Sequence, residues 1–141
     1  MIKLLIKYSL LISIIWTVTI FVLYCTPGRF IPTTSWLELL SFDKFVHASI
    51  FLVLVTCWLS HFYTKNKLSI NLKWLLVLLC LAYGGLLEIM QATIFSQRSG
   101  DWLDFIANTV GCLVGLALFN KYKNRLNHLL ALSFSRLNKL Q

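Results

Sequence analysis

The sequence predicts an all-α membrane protein, a four-transmembrane-helix bundle with a cytoplasmic basic amphipathic C-terminal helix. Three observations lead there. Hydrophobic residues make up 58% of the 141-residue chain, mean hydropathy is +0.76 and charged residues reach only 13%, about half the share of a typical soluble domain. Apolar runs of bilayer-spanning length, about 20 residues each, recur four times. Lys and Arg gather at the ends of those runs, the pattern of a chain that crosses a membrane repeatedly.

The first span is expected over about Leu4–Tyr24, with Lys3 and Lys7 at its start. A basic start before an apolar run also suits a signal peptide. The run, however, exceeds the roughly 7–15 residues of a signal core, and no A-x-A cleavage site follows. Tyr24 stands where a lipoprotein site before Cys25 wants a small residue, so an uncleaved span is expected. Thr26-Pro27-Gly28-Arg29 and Pro32 are turn signals. Trp36 with Leu37, Leu39 and Leu40 suits a short interfacial piece.

The second span is expected over about Lys44–Phe62 and the third over about Leu72–Phe95. A polar turn, Ser96-Gln97-Arg98-Ser99-Gly100, leads to the fourth, about Asp101–Phe119. Residues 1–120 then form one membrane domain, and 121–141 a tail. In that tail Leu126, Leu129, Leu130, Leu137 and Leu140 recur at helical spacing among Lys121, Lys123, Arg125, Arg136 and Lys139. Such a helix suits the surface of an anionic inner leaflet.

The net charge of +8 does not imply nucleic acid, because its distribution follows membrane topology. Ten of the thirteen Lys and Arg fall at the N-terminus, the second connection and the tail; Arg29, Lys44 and Arg98 are the others. Both termini are therefore expected in the cytoplasm. Cys25, Cys57, Cys80 and Cys112 form no metal-binding spacing and read as small hydrophobes.

All five acidic residues, Glu38, Asp43, Glu88, Asp101 and Asp104, then belong to the outer half. Carboxylates near lipid are costly, so this gathering points to a site. Asp43 and His47 are i, i+4 neighbours, and Glu88 and Gln91 are i, i+3 neighbours. Glu88 lies about two helical turns, roughly 10 Å, below the rim, where it must be paired, protonated or wetted. Arg98 is its expected counter-ion. Asp101, Asp104, Asn108, Gly111 and Gly115 form one stripe on the fourth span, and Gly84, Glu88 and Gln91 one on the third. Gly84, Gly111 and Gly115 are read as close-packing positions, and the two stripes are expected to meet beneath an outward pocket. Capping alone is the plainer reading of Asp43, Asp101 and Asp104, as interhelical glue is of Asn108.

Read in order, the chain gives Asp43-Lys44-x-x-His47, then Glu88-x-x-Gln91, then Arg98-x-x-Asp101-x-x-Asp104-x-x-x-Asn108-x-x-Gly111-x-x-x-Gly115. This resembles the VanZ-like family of small bacterial membrane proteins, over about Asp43–Phe119. The resemblance implies a bacterial inner-membrane location and a link to the cell envelope. The family's name-giving member is associated with low-level resistance to teicoplanin-type glycopeptides. Activity does not transfer with fold and must be argued from the site.

Three functions compete. In the first, the pocket binds the head group of an envelope lipid, a lipid-linked precursor or a lipophilic glycopeptide. Lys44, Arg98 and His47 would meet phosphate, and Asp43, Gln91, Asp101, Asp104 and Asn108 sugar or peptide groups. In the second, a membrane enzyme uses His47 as general base or nucleophile, with Asp43 or Glu88 setting its protonation. His47, Glu88 and Asp104 could also hold a divalent metal, whose identity the residues leave open. In the third, the polar groups only knit helices together for assembly with a partner. Four spans are few for a carrier. Unspent carboxylates favour the first two functions, and a closed network the third. Oligomeric state is left open.

Overall fold

The computed structural model describes residues 6–26, 42–94 and 101–137. They form four helices, α1 (Ser9–Cys25), α2 (Phe42–Thr64), α3 (Ile70–Thr93) and α4 (Trp102–Leu137). Phe42–Thr64, Ile70–Thr93 and Trp102–Lys123 are long and apolar enough to cross a membrane, and α1 is a shorter apolar helix. The all-helical expectation holds. The tail expected as a helix of its own is not a separate element, because helical geometry in α4 continues through Leu137. The leucines of its amphipathic face, with Arg136 and Lys139, lie outside the described side chains, as do Glu38, the piece around Trp36 and the turn containing Arg98.

Local chemistry sets the helix ends. Tyr8 leaves helical geometry and α1 runs on from Ser9; Leu4, the expected start of the span, lies outside the described residues. Its Ser9 hydroxyl turns back to Ile6 O at 2.9 Å. Ser69 caps α3, its hydroxyl accepting from Leu72 N–H at 3.1 Å. Between α2 and α3, Asn66 takes a left-handed φ of 55°, which the short amide side chain tolerates better than most. Asp101 accepts from Leu103 N–H through Oδ1 at 2.8 Å, starting α4.

Ile20, Phe51, Leu54, Val55, Leu59, Leu87 and Cys112 form the middle of the core. Ile15, Val18 and Val22 leave one face of α1 exposed, as expected where lipid replaces water as the surrounding solvent. Hydrocarbon offers nothing to solvate polar groups, so half-buried ones find partners on neighbouring helices. Trp16 Nε1–H donates to Ile50 O at 3.0 Å, Trp58 Nε1–H to Thr17 Oγ1 at 3.2 Å, and Tyr83 O–H to Thr17 O at 2.9 Å. These bonds fasten α1 to α2 and α3. All four cysteines are free thiols, with Cys80 and Cys112 buried.

The glycine stripe of α4 faces α2, not α3. A Cβ at Gly111 would strike the Ala48 carbonyl and lie 2.9 Å from Ala48 Cα; one at Gly115 would lie 2.8 Å from Leu52 O. Gly84 of α3 instead faces the Phe51 ring, 3.0 Å from a Cβ placed there, with Asn108 Nδ2 at 3.4 Å. The two stripes therefore do not meet glycine to glycine. The bulk of Phe51 occupies the space between α3 and α2, while α2 and α4 approach backbone to backbone. That approach places Asp43, Lys44 and His47 of α2 beside Asp104 and Asn108 of α4.

Candidate functional site

Six polar side chains are buried at the end of the bundle that carries the acids: Tyr24 from α1, His47 from α2, Glu88 and Gln91 from α3, and Asp104 and Asn108 from α4. Each helix contributes because its polar residue falls on the inward face at the same depth. Asn108 is wholly buried. Its Nδ2–H donates to Tyr24 OH at 2.9 Å and approaches Glu88 Oε1 at 3.4 Å.

Tyr24 is the hub. Its hydroxyl lies 2.8 Å from His47 Nδ1, and 3.3 Å from both Glu88 Oε1 and Asn108 Oδ1. A phenol has one proton to donate. With His47 Nδ1–H donating to Tyr24, that proton is free for Glu88, and a chain runs from imidazole through phenol to carboxylate. Gln91 Nε2–H donates to Tyr24 O at 3.2 Å, holding the end of α1 against α3. Sequence reasoning missed Tyr24. An aromatic at the end of an apolar run reads as an ordinary interfacial anchor, and no local spacing ties it to His47 or Glu88.

The two faces of the His47 ring meet different groups. Glu88 Oε1 lies 3.7 Å from Nδ1. Asp43 Oδ1 and Asp104 Oδ2 lie 3.6 and 3.8 Å from Nε2. The grouping of three potential metal ligands is accordingly Asp43, His47 and Asp104, with ligand atoms within 4.8 Å of one another. It differs from the His47, Glu88 and Asp104 combination that the sequence also allowed: Glu88 Oε1 lies against the opposite ring nitrogen.

Lys44 sits at the rim. Its ammonium donates to Asp104 Oδ1 at 2.8 Å and Asp101 Oδ2 at 2.9 Å, with Asp43 Oδ2 at 4.0 Å. The Asp101 carboxyl, ahead of α4, is held below the usual carboxylate range by this Lys44 hydrogen bond and then by the Leu103 N–H. Asp101 therefore both caps α4 and pairs with α2. Asp43 is the exposed acid of the group, with 60% of its side chain accessible, and stands between Lys44 at 4.0 Å and the buried His47 at 3.6 Å.

One buried polar atom is left over. Glu88 Oε2 has no hydrogen-bond partner among the described residues. Glu88 also lines a cleft of about 380 Å³ between α3 and α4, whose other walls are Gly85, Ile89, Ala92, Asp101, Trp102 and Phe105. The cleft has acidic groups on its lining and apolar and aromatic walls around them. Arg98, the expected partner of Glu88, lies outside the described residues.

Residues 4–124 match the family model VanZ/LLP1, and the chain belongs to that family. No curated protein and no solved structure matches it. The chain is thus a VanZ-like membrane protein with a buried polar cluster of His, Asp and Glu.

Proposed function

We propose that this VanZ/LLP1-family protein binds the head group of an envelope lipid or lipid-linked precursor at the acidic end of its bundle. The observation that carries the reading is Glu88 Oε2, buried and without a hydrogen-bond partner among the described residues. A buried carboxylate oxygen left without a donor costs about 1–3 kcal/mol or more, a deficit that a ligand donor removes. The cleft beside it combines that carboxylate and Asp101 with Trp102, Phe105 and Ile89. Head groups bearing amine, amide or sugar hydroxyl donors suit its polar part, and the start of an acyl chain its walls. A lipophilic glycopeptide carries the same two kinds of surface.

The acidic end faces outward in this reading. Lys65, Lys67, Lys73, Lys121, Lys123 and Arg125 occupy the other end of the helices, which the positive-inside rule places in the cytoplasm. The location is then the inner membrane of a bacterium, and the role one in the cell envelope. Gln91, Asp104 and Asn108 frame the site in this reading, with Lys44 and Asp43 at its mouth.

Native mass spectrometry of gently extracted protein tests the proposal. Wild-type protein is expected to retain a lipid of one class, and Glu88→Gln to lose at least about nine-tenths of it. The amide keeps the size of the side chain but presents donors where the ligand also presents donors. Equal retention by a folded Glu88→Gln protein would overturn the reading.

A second reading, an enzyme acting on such a lipid, rests on the chain from His47 Nδ1 through Tyr24 OH to Glu88 Oε1. In it His47 takes a proton at Nε2 while Glu88 and Tyr24 hold the charge that appears on the ring. Recovery of the retained lipid chemically altered after incubation, by wild type and not by Tyr24→Phe, would favour it over simple binding.

A further inference from the structure

We infer that Asp43, His47 and Asp104 form a binding site for one divalent transition cation of the Mn²⁺ or Zn²⁺ class. The ligands would be Asp43 Oδ1, His47 Nε2 and Asp104 Oδ2. The inference stands on the geometry of this cluster; it shares Asp43 and Asp104 with the head-group reading, whose carrying observation is Glu88 at the opposite ring nitrogen.

Four features point the same way. The first is ring orientation. The buried His47 ring is anchored at Nδ1 by Tyr24 OH at 2.8 Å, while Nε2 has no hydrogen-bond partner among the described residues. Metal-bound histidines are held in this manner, with the non-ligating nitrogen donating to an outer partner and the lone pair of the other facing the metal.

The second is spacing. Nε2 stands 3.6 Å from Asp43 Oδ1 and 3.8 Å from Asp104 Oδ2. An imidazolium lodged between two carboxylates draws them to about 2.7–2.9 Å. The observed gaps are too long for that and close to the roughly 3.0–3.4 Å between neighbouring ligands around a cation bound at about 2.1 Å. The three ligand atoms lie within 4.8 Å of one another, and Asp43, the exposed member, is the one that can swing inward to close the set.

The third is charge. Asp43, Asp101 and Asp104 stand around one ammonium, that of Lys44. Among the described residues the three carboxylates thus outnumber the ammonium groups by two, which favours a cation beside them. The fourth is the division of labour within Asp104. Its Oδ1 is taken by Lys44 at 2.8 Å, and its Oδ2 faces His47 Nε2. The ammonium fixes the carboxylate without occupying the oxygen that would bind metal. One imidazole and two carboxylates, with the remaining positions open to water or ligand, suit Mn²⁺ and Zn²⁺ better than Mg²⁺, which keeps a mostly aqueous oxygen shell.

The test uses the full chain in nanodiscs, stripped with EDTA and titrated with Mn²⁺. Loss of the free-ion electron paramagnetic resonance signal reports binding, and electron spin-echo modulation reports a coordinated nitrogen. Wild type is expected to bind one Mn²⁺ per chain, to show nitrogen coupling and to release the ion to Zn²⁺. Asp43→Asn is expected to weaken binding at least tenfold with an unchanged thermal midpoint, since Asp43 lies at the exposed mouth. His47→Gln is expected to abolish the nitrogen coupling. Should that variant fail to fold, the wild-type coupling and the Asp43→Asn titration still decide. Absence of saturable binding by wild type, binding without nitrogen coupling, or unchanged affinity in Asp43→Asn would each overturn the inference.

Discussion

Gly111→Ala is expected to destabilise the bundle by about 3 kcal/mol or more, at or beyond the upper end of ordinary overpacking costs. A single methyl group has this effect because of what it meets. At Gly111 the added carbon collides with the Ala48 carbonyl and lies 2.9 Å from Ala48 Cα, so the backbone of α2 must move. At Gly115 it meets the Val55 side chain and then backbone again, Leu52 O at 2.8 Å; only at Gly84 and Gly85 are the nearest neighbours side chains, the edge of the Phe51 ring at 3.0 Å and the Phe105 ring at 3.3 Å. Unfolding midpoints of the four alanine variants in detergent should therefore fall in the order Gly111 lowest, then Gly115, then Gly84, then Gly85. Alanine is the better helix former by about 1 kcal/mol, which offsets part of the cost everywhere and can make Gly85→Ala neutral. A Gly111→Ala midpoint equal to that of Gly85→Ala would rule out the close α2–α4 approach. Gly111→Leu should prevent assembly of the polar cluster, because Asp104 and Asn108 reach His47 only across that approach.

The same approach shows which parts of the molecule the sequence made legible. Long apolar runs ended by Lys and Arg specify helices and their number, because burying backbone in lipid leaves little else. Asp43 and His47 could be placed on one face of a helix, and Asp104 and Asn108 on another, from the 3.6-residue period alone. Which faces meet was not legible. The spacing of Gly111 and Gly115 announces a close approach but not its partner, and the large Phe51 ring decides it by filling the space beside Gly84. Which acids share a nitrogen of His47 was illegible for the same reason. Glu88 and Asp43 both fall within reach of His47 on residue counting, and only the ring orientation assigns Glu88 to Nδ1 and Asp43 to Nε2. Tyr24 was invisible because its role depends on three other helices, and nothing in its own neighbourhood marks it.

Lys44→Met is expected to destabilise the protein by about 2–4 kcal/mol, and the effect separates Lys44's two partners. The contact with Asp101 joins two partly exposed side chains, a pair that solvent screens and that contributes little to stability. Asp104 is different: 10% of its side chain is exposed, and without the ammonium its carboxylate is buried uncompensated, which commonly costs about 3–5 kcal/mol. Lys44 is itself 31% exposed, so the lower part of that range applies. Adding Asp104→Asn should restore most of the loss, with a coupling of about 1–3 kcal/mol in a double-mutant cycle, whereas adding Asp101→Asn should restore little. The Asp101 contact carries a pH signature instead. Because Lys44 depresses the Asp101 carboxyl, its contribution is complete above the unfolded carboxylate range, near pH 4, and lost as pH falls through the lower folded value. The acid limb of a stability profile should therefore flatten in Lys44→Met. Equal rescue by Asp101→Asn and Asp104→Asn would mean that the rim pair, not the buried one, holds α2 to α4. The rescued Lys44→Met/Asp104→Asn protein also bears on function, since it restores packing without restoring the ammonium. If it folds but retains no lipid, Lys44 or Asp104 acts on the ligand directly; if it retains lipid normally, both serve to seat α4 against α2, and recognition falls to Glu88 and the cleft beside it.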